Sequence, residues 1–428
     1  MGSFTILNAT TVADRRVDIR IRDGVISDVS EAGTVSDRSA DEQGVFDADG
    51  RLVTPSLTEP HIHLDYALAA GTPRWNEAGT LSEGIDIWAE YKRDLTKDDV
   101  KKRARRTIQW LVANGVTRVR THADATESTL STVEALVELR RELRDFIDIE
   151  VVAFPQDGIY TADGNEVALR EAVEMGVDVV GAIPHAEPTR ETGVESIKTA
   201  FDVARDKDLK IDMHIDETDD PGSRFTEVLA HEARRHDWGE RTTASHAAAL
   251  HSYPNPYASK VISLLADSGV SVITNPPDNS VLQGRYDDYP RRRGHTRIDE
   301  LHDAGVTVGL GHDSVMDPWY HYGKADPLDA AYVLIHYAQM SGYDDVQTIW
   351  NMLTVANSGI FGATNYGLES GDEGSLVVYD SYSAFDTLRT RPARRLVLKE
   401  GIPVARTQPS ETTVQFGENS TDIDFHRS

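Results

Sequence analysis

Between residues 57 and 313 the sequence keeps one rhythm: a short apolar β-type segment, then a stretch with the periodicity of a helix. Eight segments read as strands: LTEPHIHLD (57–65), TRVRTHAD (117–124), DIEVVAFPQDG (148–158), DVVGAIPH (178–185), KIDMHID (210–216), TTASHA (242–247), SVITNPP (271–277) and VTVGLGHD (306–313). Helical patterns such as KKRARRTIQWLVANG (101–115), STVEALVELRRELRDF (131–146) and NEVALREAVEMG (165–176) lie between most of them. Short strands apolar on both faces belong in a parallel sheet covered by helices, and eight is the count of a (β/α)8 barrel. A doubly wound sheet is the alternative, but nothing in the sequence resembles its glycine-rich phosphate loop.

The two ends read differently. TILNATTV, VDIRIRDGVISDVS with its Asp23-Gly24 turn, and GVFDADGRLVTP have the look of a β-meander. GSLVVYD and RRLVLKEGIPVA, turning at Glu400-Gly401, repeat that style near the C-terminus. Two β-rich ends around a βα middle predict one small sheet domain built from both termini.

Composition excludes several function classes. There are 71 acidic residues against 44 basic ones, a formal net charge of −27 spread along the chain, so nucleic acid and anionic membranes are repelled. There is no cysteine, which removes disulfides, iron–sulfur clusters and thiolate zinc sites. Any metal must be held by His, Asp or Glu. The opening MGSFTILNATTVADRR carries no signal-peptide core, and no apolar run has the length of a membrane span. The chain reads as soluble and cytoplasmic.

The residues with chemistry fall at the C-terminal ends of the eight strands. His61 and His63 end the first, and a spacing of two puts both imidazoles on one face of a strand. His122 and Asp124 end the second, Gln156 the third and His185 the fourth. His214 and Glu217 end the fifth, His246 the sixth, Asn275 the seventh and Asp313 the eighth. In a (β/α)8 barrel this end carries the active site, so the groups converge on one pocket. Taken singly, a histidine at a strand end is more often a hydrogen-bonded core residue, and Asp65, Asp124 and Asp216 read equally well as caps. The joint pattern, His-x-His on the first strand, His on the fifth and sixth and Asp on the eighth, is what points to a site.

With HIDE, ASH and GHD beside the His-x-His, the pattern resembles the amidohydrolase superfamily. Longer blocks (TEPHIHLD, GTPRWNEAGTL, VRTHAD, VVAFPQDGI, VVGAIPH, HIDETDD, TASHAAALHSY, LQGRYDDYPRRRG, GHDSVMDPWYHYG) resemble its bacterial cytosine deaminase family. The resemblance runs over nearly the whole chain. It implies a distorted (β/α)8 barrel over residues 56–371, with a small β-sandwich domain from residues 1–55 and 372–428.

The resemblance assigns His61, His63, His214 and Asp313 to one divalent metal. Such a donor set suits Fe²⁺ or Zn²⁺ with an open position for water. Binuclear members need a bridging acidic group, often a modified lysine, ending the fourth strand, whereas this chain has IPHAEP there with no lysine, which implies a single ion. Glu217 resembles the proton shuttle and His246 the residue that holds the attacking water, whose proton Asp313 accepts. Gln156 resembles the side chain that reads the carbonyl and ring N–H of a pyrimidine. Leu81, Phe154 and Trp319 match apolar walls against a flat ring. One residue departs: family members carry a second aspartate after the metal-binding one, near the amino-bearing edge of the substrate, and here Ser314 follows Asp313. Restoring an aspartate there is expected to favour cytosine over bulkier or 5-substituted rings.

The resulting expectation is hydrolysis of cytosine to uracil and ammonia by a metal-activated hydroxide, in a cytoplasmic homo-oligomer acting on a free nucleobase. The alternatives are deamination of isocytosine, isoguanine, a 5-substituted cytosine or an amino-triazine, then cyclic-amide hydrolysis or a catalytically silent binding barrel.

Overall fold

All eight expected barrel segments form strands, and they lie side by side in chain order. The computed structural model describes residues 3–34, 44–423 and 425; residues 1–2, 35–43, 424 and 426–428 of the two expected small-domain segments lie outside that set. Among the described residues five strands precede the barrel: β1 (Ser3–Thr10), β2 (Arg16–Arg22), β3 (Val25–Glu31), β4 (Val45–Asp47) and β5 (Val53–Pro55). The barrel strands are β6 (Leu57–Ile62), β7 (Val116–Asp124), β8 (Asp148–Phe154), β9 (Val179–Val180), β10 (Lys210–Ile215), β11 (Thr242–His246), β12 (Ser271–Thr274) and β13 (Val308–Leu310). They pair in parallel from β6 through to β13.

The barrel closes at its C-terminal mouth. Ile62 bridges to Asp313; Asp313 N–H donates to the His61 carbonyl at 2.9 Å and His63 N–H to the Asp313 carbonyl at 3.2 Å. The Glu59 carboxylate ties the same seam, accepting from the N–H groups of His61 (3.1 Å) and His312 (3.0 Å). Every residue of β6 and β7 is buried, because helices cover the outer face and side chains fill the inner one. Helices Lys97–Ala113, Ser131–Leu143, Arg190–Asp206 and Asn255–Ser268 supply much of that cover.

The chain ends form two further four-stranded sheets. β14 (Leu376–Tyr379), β15 (Arg394–Lys399) and β16 (Ile402–Arg406) join β5 in the order β16-β15-β14-β5. The other sheet runs β3-β2-β1-β4. Ile6, Ile19, Ile21 and Phe4 from one sheet meet Val53, Leu376, Val378 and Leu396 from the other in a single core. The Asp23-Gly24 and Glu400-Gly401 turns form hairpins with positive φ at both central residues, as a two-residue turn between twisted strands requires. The N-terminal segment is not a simple meander: β4 pairs in parallel with β1, and β5 leaves for the second sheet. The turn at Asp49-Gly50, also at positive φ, carries the chain across, so the two termini share one sandwich. A short hairpin (Thr412–Phe416 with Asn419–Ile423) follows at the C-terminus. Among the described residues no helix is long and apolar enough to cross a membrane.

Candidate active site

His61, His63, His214 and Asp313 come from three separate strand ends, and their polar atoms nearly touch. His61 Nε2 and His63 Nε2 lie 3.4 and 3.5 Å from Asp313 Oδ1, and His63 Nε2 lies 3.0 Å from His214 Nε2. Ligand atoms each roughly 2.1 Å from one ion stand about 3–3.5 Å apart, so the spacing fits a shared divalent metal. All four side chains are buried, and burial first, then neighbouring imidazoles, holds the three histidines well below their ordinary pKa. Neutral rings keep a lone pair free to ligate.

The tautomer of His61 follows from its neighbour. The Ser245 hydroxyl donates its one proton to Asp212 Oδ1 (2.6 Å) and so accepts from His61 Nδ1–H (2.9 Å). His61 Nε2 then carries the lone pair, and no protein donor within hydrogen-bond reach satisfies it. Asp212 is in turn fixed by Arg120 Nη1 at 3.0 Å, so a buried Arg–Asp–Ser chain orients the ring.

His246 ends β11 at φ 70°, and Asp313 sits at φ 68°. Non-glycine residues in this region are strained, and such strain is held where the fold needs a side chain aimed unusually. The Asn279 amide contacts His246 Nδ1 at 3.1 Å and donates to Glu217 Oε1 at 3.2 Å, binding the two together. Glu217 is pushed well above the usual carboxylate range by burial, then by Asp278 and Asp313.

A cavity of about 190 Å³ opens over these groups. Of the residues expected from sequence, His63, Leu81, Gln156, His185, His214, Glu217, Asp313, Ser314 and Trp319 line it. Gln156 Oε1 is buried without a partner. Trp319 is seated by its Nε1–H on the Leu81 carbonyl (3.2 Å) and by Gly84, where a Cβ would stand 2.4 Å from the indole. Phe154 does not line the cavity. Its ring stacks on His214 at 4.1 Å, because the last residue of β8 reaches past the two-residue β9 to the histidine of β10. Phe154 therefore backs His214 instead of walling the cavity.

Asp65, Asp124 and Asp216 are structural acceptors. Asp65 accepts from Asp124 N–H, Asp124 from Trp88 Nε1–H, and Asp216 from Phe225 N–H and Thr226 N–H. His122 lies under the cluster with its ring 4.1 Å from His61. The sequence reading missed Tyr66, Asn279 and Asp278. Asp278 stands three residues after the strand-end Asn275, the offset that separates Glu217 from His214, and that parallel was the available signal.

A (β/α)8 barrel whose mouth gathers histidines and carboxylates suited to a divalent metal has the build of a hydrolytic enzyme. Residues 89–405 match the amidohydrolase family, and the chain belongs to that family. It is similar to 5-methylcytosine deaminase from Klebsiella pneumoniae, solved with 5-fluorocytosine: 38% identity and a TM-score of 0.93, over 97% of this chain and 100% of the other. N-isopropylammelide isopropyl amidohydrolase from Pseudomonas sp. (strain ADP) is 30% identical over 407 residues, 90% of this chain and 96% of that protein. Pterin deaminase from Rhizobium rhizogenes is 27% identical over 400 residues, 92% of this chain and 89% of the relative.

Proposed function

We propose that this protein hydrolytically deaminates a cytosine ring: cytosine and water give uracil and ammonia, and 5-methylcytosine and water give thymine and ammonia. The observation that carries the reading is the cavity itself. A space of about 190 Å³ suits one small ring, and it brings Gln156, Glu217 and Ser314 against the His63–His214–Asp313 cluster. Support comes from similarity to 5-methylcytosine deaminase over nearly the full chain.

In this reading His61, His63, His214 and Asp313 hold one Fe²⁺ or Zn²⁺. When bound, such an ion supplies Lewis acidity that activates water near neutral pH. Gln156, with its free Oε1, accepts from the ring N–H and donates through its amide to the ring carbonyl. Glu217 passes a proton to the ring nitrogen as the adjacent carbon becomes tetrahedral, and Asn279 holds it in place. His246 and Asp313 orient the attacking water, and Asp313 takes its proton. Leu81 and Trp319 exclude bulk water from the flat faces of the ring.

The substrate is taken as a free base. The net charge of −27 opposes a polyanion. A cytoplasmic homo-oligomer completes the proposal, and sedimentation tests the assembly. The deciding experiment is ammonia release across cytosine, 5-methylcytosine, isocytosine, isoguanine and amino-triazines. Release from cytosine rings at the highest kcat/KM supports the reading; release only from another ring replaces it.

A further inference from the structure

We propose that Asp278 is the specificity-determining residue that accepts the hydrogen bond of the substrate's exocyclic amine. The inference rests on the deaminase reading above and names the partner of one edge of the same substrate.

Asp278 lies on the short helix Pro276–Leu282 that follows β12, and it lines the cavity with Glu217 and Ser314. It is 2% exposed, and its Oδ1 is buried with no hydrogen-bond partner. Carboxylate oxygens of Asp278, Glu217 and Asp313 all lie within 4.8 Å of one another. A buried carboxyl oxygen left unpaired is costly and persists where a ligand completes it.

The chemistry of the ring identifies that ligand group. A 4-amino-2-oxopyrimidine presents a carbonyl, ring nitrogens and an amine with two N–H donors, and each needs a partner once water is excluded. Gln156 answers the carbonyl and ring N–H, and Glu217 answers the second ring nitrogen. Asp313 belongs to the cluster with His61 and His63. Ser314 is neutral, and its hydroxyl lies beside the Asp278 carboxyl. Asp317 spends its oxygens on the N–H groups of Val315, Trp319 and Tyr320. The lining acceptors left are Asp278 Oδ1 and the unpaired ring nitrogens of His185. Of the two residues, Asp278 is the one grouped within 4.8 Å of the Glu217 and Asp313 carboxylates, where the amine-bearing carbon reacts.

The test measures binding, so turnover does not obscure it. In metal-loaded protein carrying Glu217→Gln, calorimetry gives the Kd of cytosine and of pyrimidin-2-one, which lacks the amine. We expect cytosine to bind at least about tenfold more tightly, since a buried acceptor discriminates against a ligand without the matching donor. Adding Asp278→Ala brings the two constants together and leaves that of pyrimidin-2-one unchanged. Asp278→Asn keeps the shape of the side chain and guards against a folding defect; it lowers the ratio part of the way. A ratio that survives either substitution overturns the proposal. Loss of bound metal on Asp278→Ala also overturns it, because Asp278 is then an ion ligand. Ammonia release from cytosine rings by the unaltered protein, with the ratio retained in Asp278→Ala, sinks the role of Asp278 alone. No release from any cytosine ring sinks both readings.

Discussion

His61 Nδ1 and the Ser245 hydroxyl lie 2.9 Å apart, and because Ser245 donates onward to Asp212, the imidazole is held with Nε2 facing the metal cluster. Partners of this kind fix ring orientation, and their loss typically weakens metal binding 10- to 100-fold. Ser245→Ala is expected to lower metal affinity by roughly that factor, measured by competition with a chromogenic chelator. Unchanged affinity means that His61 needs no such orientation.

The ion itself should be single. Three contacts among the four donors span 3.0–3.5 Å, which suits one divalent ion, and no lysine is among the described residues lining the cavity. Elemental analysis of protein purified without chelators is expected to find about one equivalent, whose removal abolishes ammonia release and whose return restores it. Two tightly held equivalents, both required, contradict the single-ion mechanism.

Glu217 is held by Asn279 at 3.2 Å and stands 3.6 Å from His246 Nδ1. Replacing its carboxyl by an amide keeps size and removes proton transfer. Glu217→Gln is expected to retain metal and thermal stability while kcat falls at least about 10²-fold. Near-normal kcat in the metal-replete variant shows that another group moves the proton.

Asp278 reverses the expectation for Ser314 that similarity alone suggests. A carboxylate at 314 would join those of Asp278, Asp313 and Glu217 in one buried space, where like charges repel. Ser314→Asp is expected to lower kcat/KM for cytosine about tenfold when Asp278 is present, in line with one misplaced charged hydrogen bond. In the Asp278→Ala background it is expected to raise kcat/KM instead. Steady-state kinetics of the four proteins decides between the two signs.

The sandwich is locked to the barrel by Arg394. From β15 it reaches the Asn114 carbonyl (3.0 Å) and Asp326 Oδ2 (3.0 Å), and both side chains of the ion pair are buried. Arg394→Met leaves the Asp326 carboxylate buried with only the half-exposed Lys324 beside it, at 3.3 Å. A loss of about 3 kcal/mol is expected, the low end for breaking a buried pair. Urea unfolding followed by circular dichroism measures it.

Much of this design was legible before any fold was known. The βα rhythm counted eight strands, and the barrel architecture follows from that number because it sends every strand's C-terminal end to one mouth. His61 and His63 share a face because a strand repeats every two residues. HIDE, ASH and GHD were legible through their resemblance to the amidohydrolase pattern, which singles out His214, Glu217, His246 and Asp313. The hairpins at Asp23-Gly24 and Glu400-Gly401 are equally local, set by backbone conformations the two turn residues must adopt.

Other features depend on the path of the chain between strands, which no local period encodes. Ser245 meets His61 across 184 residues because closing β13 onto β6 brings the ends of β11 and β6 together across the barrel interior. Phe154 lies behind His214 because β9 is only two residues long and leaves that side of β8 open to β10. β4 pairs in parallel with β1 since the crossing turn delivers β5 to the other sheet. Asp278 enters the cavity from a seven-residue helix beyond β12, beside a serine that sequence comparison marks only as a missing charge. Periodicity and residue type place a side chain on a face of its own element. Which faces meet, and which buried oxygen is left for a substrate to satisfy, is decided when the strands close into a barrel.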